Sequence, residues 1–231
     1  MIYELLLKEE KMDRRKFVSK ALYSGAAASL APTIAVANQA EKVRIVGISC
    51  SPRKAKTTAT SVKVALEAAK EVNERIRIEM LDLGGMEIAG WTPNPVKDDF
   101  ESVLSKLRDP VPDGLIIGSP SYFRSMSALC KAFLERLMVL RKPTLLLADT
   151  PVGVLSVGAY RNGGQELVIE QIQAAMLCHE VMVVGGKPGA HQGATLWNAY
   201  KDDIMKDEFG IESAKKLGVR VAEAVLRLAQ K

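Results

Sequence analysis

Along residues 43–230, short apolar runs alternate with longer stretches whose apolar residues recur at helical spacing. Val43–Ser49, Arg75–Leu81, Gly114–Gly118, Val152–Val157 and Val181–Val184 have the length and the β-branched content of strands. Thr58–Asn73, Asp98–Leu107, Met126–Leu140, Gly164–Leu177 and Ile211–Ala229 read as helices; in the first of them Val62, Leu66, Ala69 and Val72 share one face. Unbroken apolarity, as in Leu115-Ile116-Ile117, points to strands buried on both sheet faces. Five strand-then-helix units in succession predict an α/β fold, a five-stranded parallel sheet with helices on both faces in a three-layer sandwich. Pro143–Ala148 fits either an extra strand or a loop. Sheets of this kind bind ligands beyond the carboxyl ends of their strands. Chemistry is therefore sought in the loops after the first, third and fourth strands.

The loop after the first strand is the most informative. Cys50-Ser51-Pro52-Arg53-Lys54-Ala55-Lys56-Thr57-Thr58 joins a buried strand to a helix start through small, hydroxyl and basic residues. Helix N-termini present unpaired N–H groups and partial positive charge, so an anion suits them. Ser51, Thr57 and Thr58 offer hydroxyls, and Arg53 can pair with phosphate oxygens. The loop has neither Gly-x-Gly-x-x-Gly nor Gly-Lys-Ser/Thr, which speaks against dinucleotides and nucleoside triphosphates and for a monophosphate such as FMN. An ordinary basic strand–helix turn is the competing reading.

The other two loops are Gly118-Ser119-Pro120-Ser121-Tyr122-Phe123-Arg124-Ser125-Met126-Ser127 and Gly158-Ala159-Tyr160-Arg161-Asn162-Gly163-Gly164-Gln165-Glu166. Each combines an aromatic residue, an arginine and small residues, a set suited to a planar ring with polar edges. The glycine-rich segment Gly185–Trp197, with His191, is expected to leave the fifth strand at the same edge. His191 is read either as a solvated loop histidine or as a group facing an electron acceptor.

The amino terminus carries a different kind of signal. Asp13-Arg14-Arg15-Lys16-Phe17-Val18 precedes a mildly apolar segment ending in Ala35-Val36-Ala37, which resembles a twin-arginine (Tat) export signal with a cleavage site. Residues 1–37 are thus expected to be a signal, with Met12 as the true start, and residues 38–231 a single domain exported to the periplasm. Removing 1–37 takes away six basic and four acidic residues and lowers the net charge from +5 to +3. That balance, with 5% aromatic residues and no basic run interleaved with aromatics, argues against nucleic acid. Cys50, Cys130 and Cys178 are widely spaced and form no Cys-x-x-Cys, so neither an iron–sulfur cluster nor a cysteine zinc site is expected, and no metal ligands are assigned.

With Ser51-Pro52-Arg53-Lys54, Gly118-Ser119-Pro120 through Lys131-Ala132-Phe133-Leu134-Glu135-Arg136, and Gly163-Gly164-Gln165-Glu166 in order, the chain resembles the NADPH-dependent FMN reductases and iron–sulfur flavoproteins of the flavodoxin-like superfamily. The resemblance implies a flavodoxin-like fold. It implies that Ser51, Arg53, Thr57 and Thr58 hold the FMN phosphate. Pro120, Ser121, Tyr122, Phe123, Arg124 and Ser125 would line the ring and ribityl chain, and Gly163, Gly164 and Gln165 the ring's other edge. Relatives with a cluster carry a compact cysteine motif after strand two; here Gly84–Pro95 has none, which implies a cluster-free FMN protein. Trp91 in that loop would cover the flavin or a neighbouring subunit, or else pack within the loop's own core. No protein side chain is assigned as catalytic. Arg124 or Arg161 would supply positive charge to the reduced flavin, and a homodimer or homotetramer is expected. Soluble NAD(P)H is not expected outside the cytoplasmic membrane, so three readings stand: a cytoplasmic NAD(P)H-dependent reductase, an exported electron-transfer flavoprotein working through the Tat machinery, and a binding protein that keeps the fold without redox turnover. The acceptor (a quinone, a flavin or a metal-like species) is left open.

Overall fold

The computed structural model describes residues 41–94 and 97–230. The export-signal expectation for residues 1–37 and the proposed start at Met12 lie outside the described residues. Strands are β1 (Val43–Ser49), β2 (Ile76–Asp82), β3 (Gly114–Tyr122), β4 (Ser125–Met126), β5 (Pro151–Gly158), β6 (Met182–Val183) and β7 (Ala194–Trp197). Helices are α1 (Thr57–Lys70), α2 (Phe100–Arg108), α3 (Ala128–Arg136), α4 (Gln165–Leu177) and α5 (Glu208–Leu228). The parallel sheet runs β2-β1-β3-β5-β6, with β7 also alongside β5. This is the strand order of flavodoxin-like doubly wound proteins.

The alternation of side chains across the sheet builds the two cores. Val46, Ile48, Leu115, Ile117, Val152 and Val154 face α2, α3 and α4, where they pack with Phe100, Phe133 and Ile169. Ile45, Ile116, Leu155 and Val157 face α1 and α5, against Val62, Leu66, Leu217 and Val221. Burial on both faces explains why these strands read as continuous apolar runs. Phe100 and Phe133 are buried as a tilted pair, ring centroids 6.4 Å apart. Truncating either to alanine would cost about 3–5 kcal/mol.

Among the described residues the sheet has seven strands rather than five. β3 runs past Gly118 to Tyr122 and turns back as β4, Tyr122 opposite Ser125. Phe123 and Arg124 between them have φ of 50° and 63°, the backbone of a tight two-residue hairpin. That hairpin takes Met126 out of the expected helix. α3 therefore starts at Ala128, where the Ser127 hydroxyl accepts from the Cys130 N–H and caps it. It ends at Arg136 and continues as a 3-10 turn, Leu137–Arg141. Pro143–Ala148 is no strand: Leu146 N–H bonds the Leu140 carbonyl and Ala148 N–H the Leu145 carbonyl, a chain of turns leading into β5.

The fifth sheet position is split. β6 pairs only with Pro151 and Val152, whereas β7 pairs with Leu155 through Gly158. The segment between them is an excursion beside the middle of β5, closed by Gly186 N–H on the Ala190 carbonyl. His191 thus lies partway along the sheet edge and not at its carboxyl end, which corrects the expectation for Gly185–Trp197. The segment that does leave at the carboxyl end follows β7, starting at Asn198.

Candidate functional site at the carboxyl edge

Loops from β1, β2, β3, β5 and β7 converge at this edge. The β1–α1 loop is fixed from the β2 side. Asp82, the last residue of β2, accepts from Ala55 N–H at 2.7 Å and from Gly84 N–H at 3.2 Å, and Gly85 N–H donates to the Pro52 carbonyl. The clamp holds Ala55 at φ 53°, so the loop folds over just before the helix begins. Lys56 occupies the N-cap position of α1 without a side-chain hydrogen bond, and the first turn has no acidic residue. The opening amides of α1 are therefore left for an outside acceptor.

Ser51, Thr57 and Thr58 are all buried here. Thr57 and Thr58 belong to the first turn of α1 rather than to the loop. The Ser51 hydroxyl accepts from Arg53 N–H at 3.2 Å. Ser49, opposite Gly118 in the sheet, is fully buried, and its hydroxyl has no hydrogen-bond partner. By its register Ser49 shares the α1 face with Gly118, whose added Cβ would touch Thr58 Cγ2 at 3.3 Å. A buried hydroxyl without a partner is rare in a finished core. Beside an uncapped helix start, it fits a bound anion or ordered water.

Arg53 is held by a residue that the sequence pattern did not single out. One of its terminal nitrogens is 2.9 Å from each carboxylate oxygen of Asp202. The Asp202 carboxylate also accepts from the Asn198 side-chain Nδ2 at 2.9 Å, and the Asp202 backbone N–H donates to the Asn198 side-chain Oδ1 at 3.2 Å. The Asn198 and Arg53 hydrogen bonds hold the Asp202 carboxyl below its ordinary range. Both residues follow β7, whose pairing with β5 no local pattern announces.

Ser121 and Ser127 tie the loops together. The Ser121 hydroxyl donates to the Gly163 carbonyl at 2.6 Å, joining the β3 and β5 loops. The Ser127 hydroxyl donates to the Cys50 carbonyl at 2.6 Å, joining the β3 and β1 loops. Ser125 donates to Gln171 of α4 at 2.9 Å. Pro120 is buried within β3 opposite Val157. Tyr122 and Tyr160 are exposed, and Phe123, at the hairpin tip, is fully so.

Arg124, Arg161, Asn162, Gly164 and Gln165 line a cleft of about 340 Å³ at the start of α4. Gly164 has φ 91°, and a Cβ there would sit 2.8 Å from the Arg124 Cα. Only glycine lets the hairpin come this close. Gln165 points inward: its amide donates to the carbonyls of Tyr160 at 2.8 Å and Leu196 at 3.3 Å. Its side-chain nitrogen thus serves the backbone, while the residue still lines the cleft. The Arg161 guanidinium lies over the Trp197 ring, 4.4 Å from the centroid, while the indole N–H donates to the Ala159 carbonyl at 3.2 Å. Trp197 was also missed in the sequence, again because it lies on β7.

Trp91, in the β2 loop, is about half exposed, and its N–H donates to Glu135 of α3 at 2.9 Å. The base of the same loop is fixed by Asp98, which accepts from Arg136 at 2.6 Å, from Ala89 N–H at 2.9 Å and from Phe100 N–H at 3.0 Å. Burial pushes the Asp98 carboxyl up, but these hydrogen bonds outweigh it and leave it below the usual range.

Comparison with known proteins places this architecture. Residues 43–195 match the NADPH-dependent FMN reductase family. An iron–sulfur flavoprotein of Methanocaldococcus jannaschii is 37% identical over 193 residues, covering 79% of this chain and 97% of that protein. Among solved structures, a flavodoxin-type WrbA-like protein from Agrobacterium tumefaciens aligns with a TM-score of 0.58 at 16% identity, covering 80% of this chain and 99% of that one. An NADH:FMN oxidoreductase in its apo form aligns with a TM-score of 0.56 at 20% identity, covering 82% and 89%. The structural likenesses speak for the fold, and the sequence matches for the family. The chain belongs to the NADPH-dependent FMN reductase family.

Proposed function

We propose that the protein is a cluster-free flavin oxidoreductase that holds FMN across the carboxyl edge of its sheet and passes electrons between a two-electron donor and an acceptor. The observation that carries the reading is the start of α1: uncapped amides, the buried Ser51, Thr57 and Thr58, the unpartnered Ser49 hydroxyl, and Arg53 steadied by Asp202. These residues fit a phosphate monoester. FMN, when bound, supplies the hydride and electron chemistry that protein side chains lack. Arg53 would use the donors that Asp202 leaves free. Arg124 and Arg161 line the neighbouring cleft together with Glu166, two positive charges to one negative, a balance that favours a ligand that gains negative charge. The exposed Tyr122, Phe123 and Tyr160 offer stacking surfaces to a ring or to a second subunit, in keeping with a homo-oligomer. The iron–sulfur name of the relative is not carried over. This chain has three cysteines in all, none of them in the loop after β2.

The absorption spectrum of the purified protein tests this reading. Flavin bands that bleach anaerobically with NADPH or NADH support a reductase using that donor. Bands that bleach only with dithionite or a reduced redox protein support the electron-transfer reading, and a protein that takes up no flavin supports a fold kept for binding alone. The Arg14-Arg15 pattern supports export through the Tat machinery, which would favour a redox-protein or quinol donor. Replacing both arginines by lysine should then hold the precursor in the cytoplasm, and unchanged export would return the NAD(P)H reductase to first place.

A further inference from the structure

Two arginines without a carboxylate partner meet over the start of α4. Arg124, from the β3–β4 hairpin, and Arg161, from the β5–α4 loop, line one cleft with Asn162, Glu166 and Thr195. Among the described residues neither guanidinium is in an ion pair, whereas Arg44, Arg53 and Arg136 each hold a carboxylate. Gly164, at the N-cap of this 13-residue helix, gives its first amides no side-chain acceptor. Hydroxyls lie beneath. Ser156 of β5 stands opposite Thr195 of β7, on the face that Val152 and Val154 turn to α4. The helix crosses above them: a Cβ on Gly158 would meet Gln165 Nε2 at 2.5 Å, and one on Gly193 would meet Ile169 Cγ2 at 3.0 Å. Ser156 and Thr195 therefore sit side by side under the first turn of α4, where Thr195 opens into the cleft. Ser156 is fully buried, and its hydroxyl has no hydrogen-bond partner, which is rare in a finished core.

We propose that this cleft is a second anion site, separate from the β1–α1 loop, and that it takes a phosphate dianion, either free or carried by the electron donor. Naming the donor rests on the flavin reading; the anion site itself does not. Arg124 and Arg161 approach from two different loops, the α4 amides from the helix end, and Asn162 and Thr195 add neutral donors. A tetrahedral oxyanion would meet donors on several sides. Arg53 in the first loop already shares its charge with Asp202, whereas these two arginines share theirs with no carboxylate. Glu166 is the one negative charge in the lining, and it weakens the attraction for an anion. The Arg161 guanidinium lies 4.4 Å from the Trp197 ring centroid, so an anion drawn to Arg161 changes the surroundings of that indole.

The chain has two tryptophans, so Trp91→Phe leaves Trp197 as the only reporter. Full-length apoprotein of this form is titrated with inorganic phosphate, against chloride at equal ionic strength, and the tryptophan emission is followed. Adenosine 2′,5′-bisphosphate and adenosine 5′-diphosphate are titrated in the same way. Phosphate should give a saturable change that chloride does not. A tighter response to either nucleotide assigns the group to a nucleotide-borne phosphate, and responses equal to that of phosphate assign it to the free ion. Arg124→Ala should weaken the response about ten- to a hundred-fold. Glu166→Gln should tighten it, a change that damage to the fold does not mimic. Arg53→Ala should leave it as it was, which separates the cleft from the β1–α1 loop. A signal that follows ionic strength alone, one that Arg124→Ala leaves unchanged, one that Glu166→Gln weakens, or one that disappears with Arg53→Ala would each overturn the proposal. All these readings are made without flavin, so they hold even for a protein that takes up no FMN.

Discussion

Replacing Gly164 by alanine tests how tightly the hairpin is held against α4. At φ 91° the new side chain pays the left-handed penalty of about 1–2 kcal/mol. Its Cβ also meets the Arg124 Cα at 2.8 Å. That neighbour is backbone, in a turn whose own residues already sit at positive φ, so relief requires moving the hairpin at a further cost of about 1–3 kcal/mol. The total is about 2–5 kcal/mol, large against a domain stability of about 5–15 kcal/mol. Gly85→Ala is the matched control. Its φ is 80°, but nothing lies within 4 Å of the added Cβ, so it should lose only the 1–2 kcal/mol of backbone strain. Urea denaturation of the three proteins, with unchanged slopes, gives both values. Gly164→Ala should lose clearly more stability than Gly85→Ala, and should also bind FMN more weakly because Arg124 has shifted. Equal losses in the two variants would refute the close packing of hairpin and helix.

The other predictions concern charges. Asp98→Ala leaves Arg136 without its carboxylate and two backbone N–H groups without an acceptor, and should cost about 3 kcal/mol by urea denaturation; a loss under 1 kcal/mol would contradict the contacts drawn here. Because the folded Asp98 carboxyl titrates below its unfolded value, its contribution is complete above about pH 4 and fades as pH falls further, so the gap between wild type and Asp98→Ala should narrow in acid. His179 is buried with an unpartnered ring nitrogen, and burial, then the Arg141 charge, hold it below its ordinary range. Its stabilising effect is complete above about pH 6.5 and is lost as pH falls through the lower folded value, so the urea midpoint should drop less between pH 6.5 and 5 in His179→Phe than in the wild type, and parallel curves would count against this. Asp202→Ala frees Arg53 from its carboxylate and should weaken FMN binding without changing the urea midpoint; unchanged affinity would mean that Asp202 does not position Arg53.

The parts of the fold that were legible in the sequence are those set by local pattern. β1, β3 and β5 are buried on both faces and so read as apolar runs, and the α/β alternation fixed the layer count. The flavodoxin-like order entered through the family motifs and not through spacing. Legibility failed where structure depends on pairing between distant segments. Met182–Val183 and Ala194–Trp197 share one sheet position with an excursion between them, and neither is long enough to declare itself. Trp197, Asn198 and Asp202 were lost with that strand, and His191 was placed at the wrong height. The same limit applied to Met126, read as the start of a helix but drawn into the hairpin by its pairing with Ser121. At the site, residue types did not announce the direction of Gln165, whose amide turns to the backbone because its own loop and β7 supply two carbonyls.

The most direct test of the account is whether the protein recognises the phosphate of FMN through Arg53. FMN and riboflavin, which lacks the phosphate, are titrated by fluorescence into apoprotein of the wild type and of Arg53→Ala. One charge-assisted hydrogen bond of about 1.5–3 kcal/mol corresponds to about ten- to a hundred-fold in affinity. The wild type should prefer FMN to riboflavin by at least that factor, and Arg53→Ala should lose affinity for FMN while holding riboflavin as before. Equal wild-type affinities for the two, or an Arg53→Ala variant that weakens both alike, would contradict the assignment of the β1–α1 loop as the phosphate site.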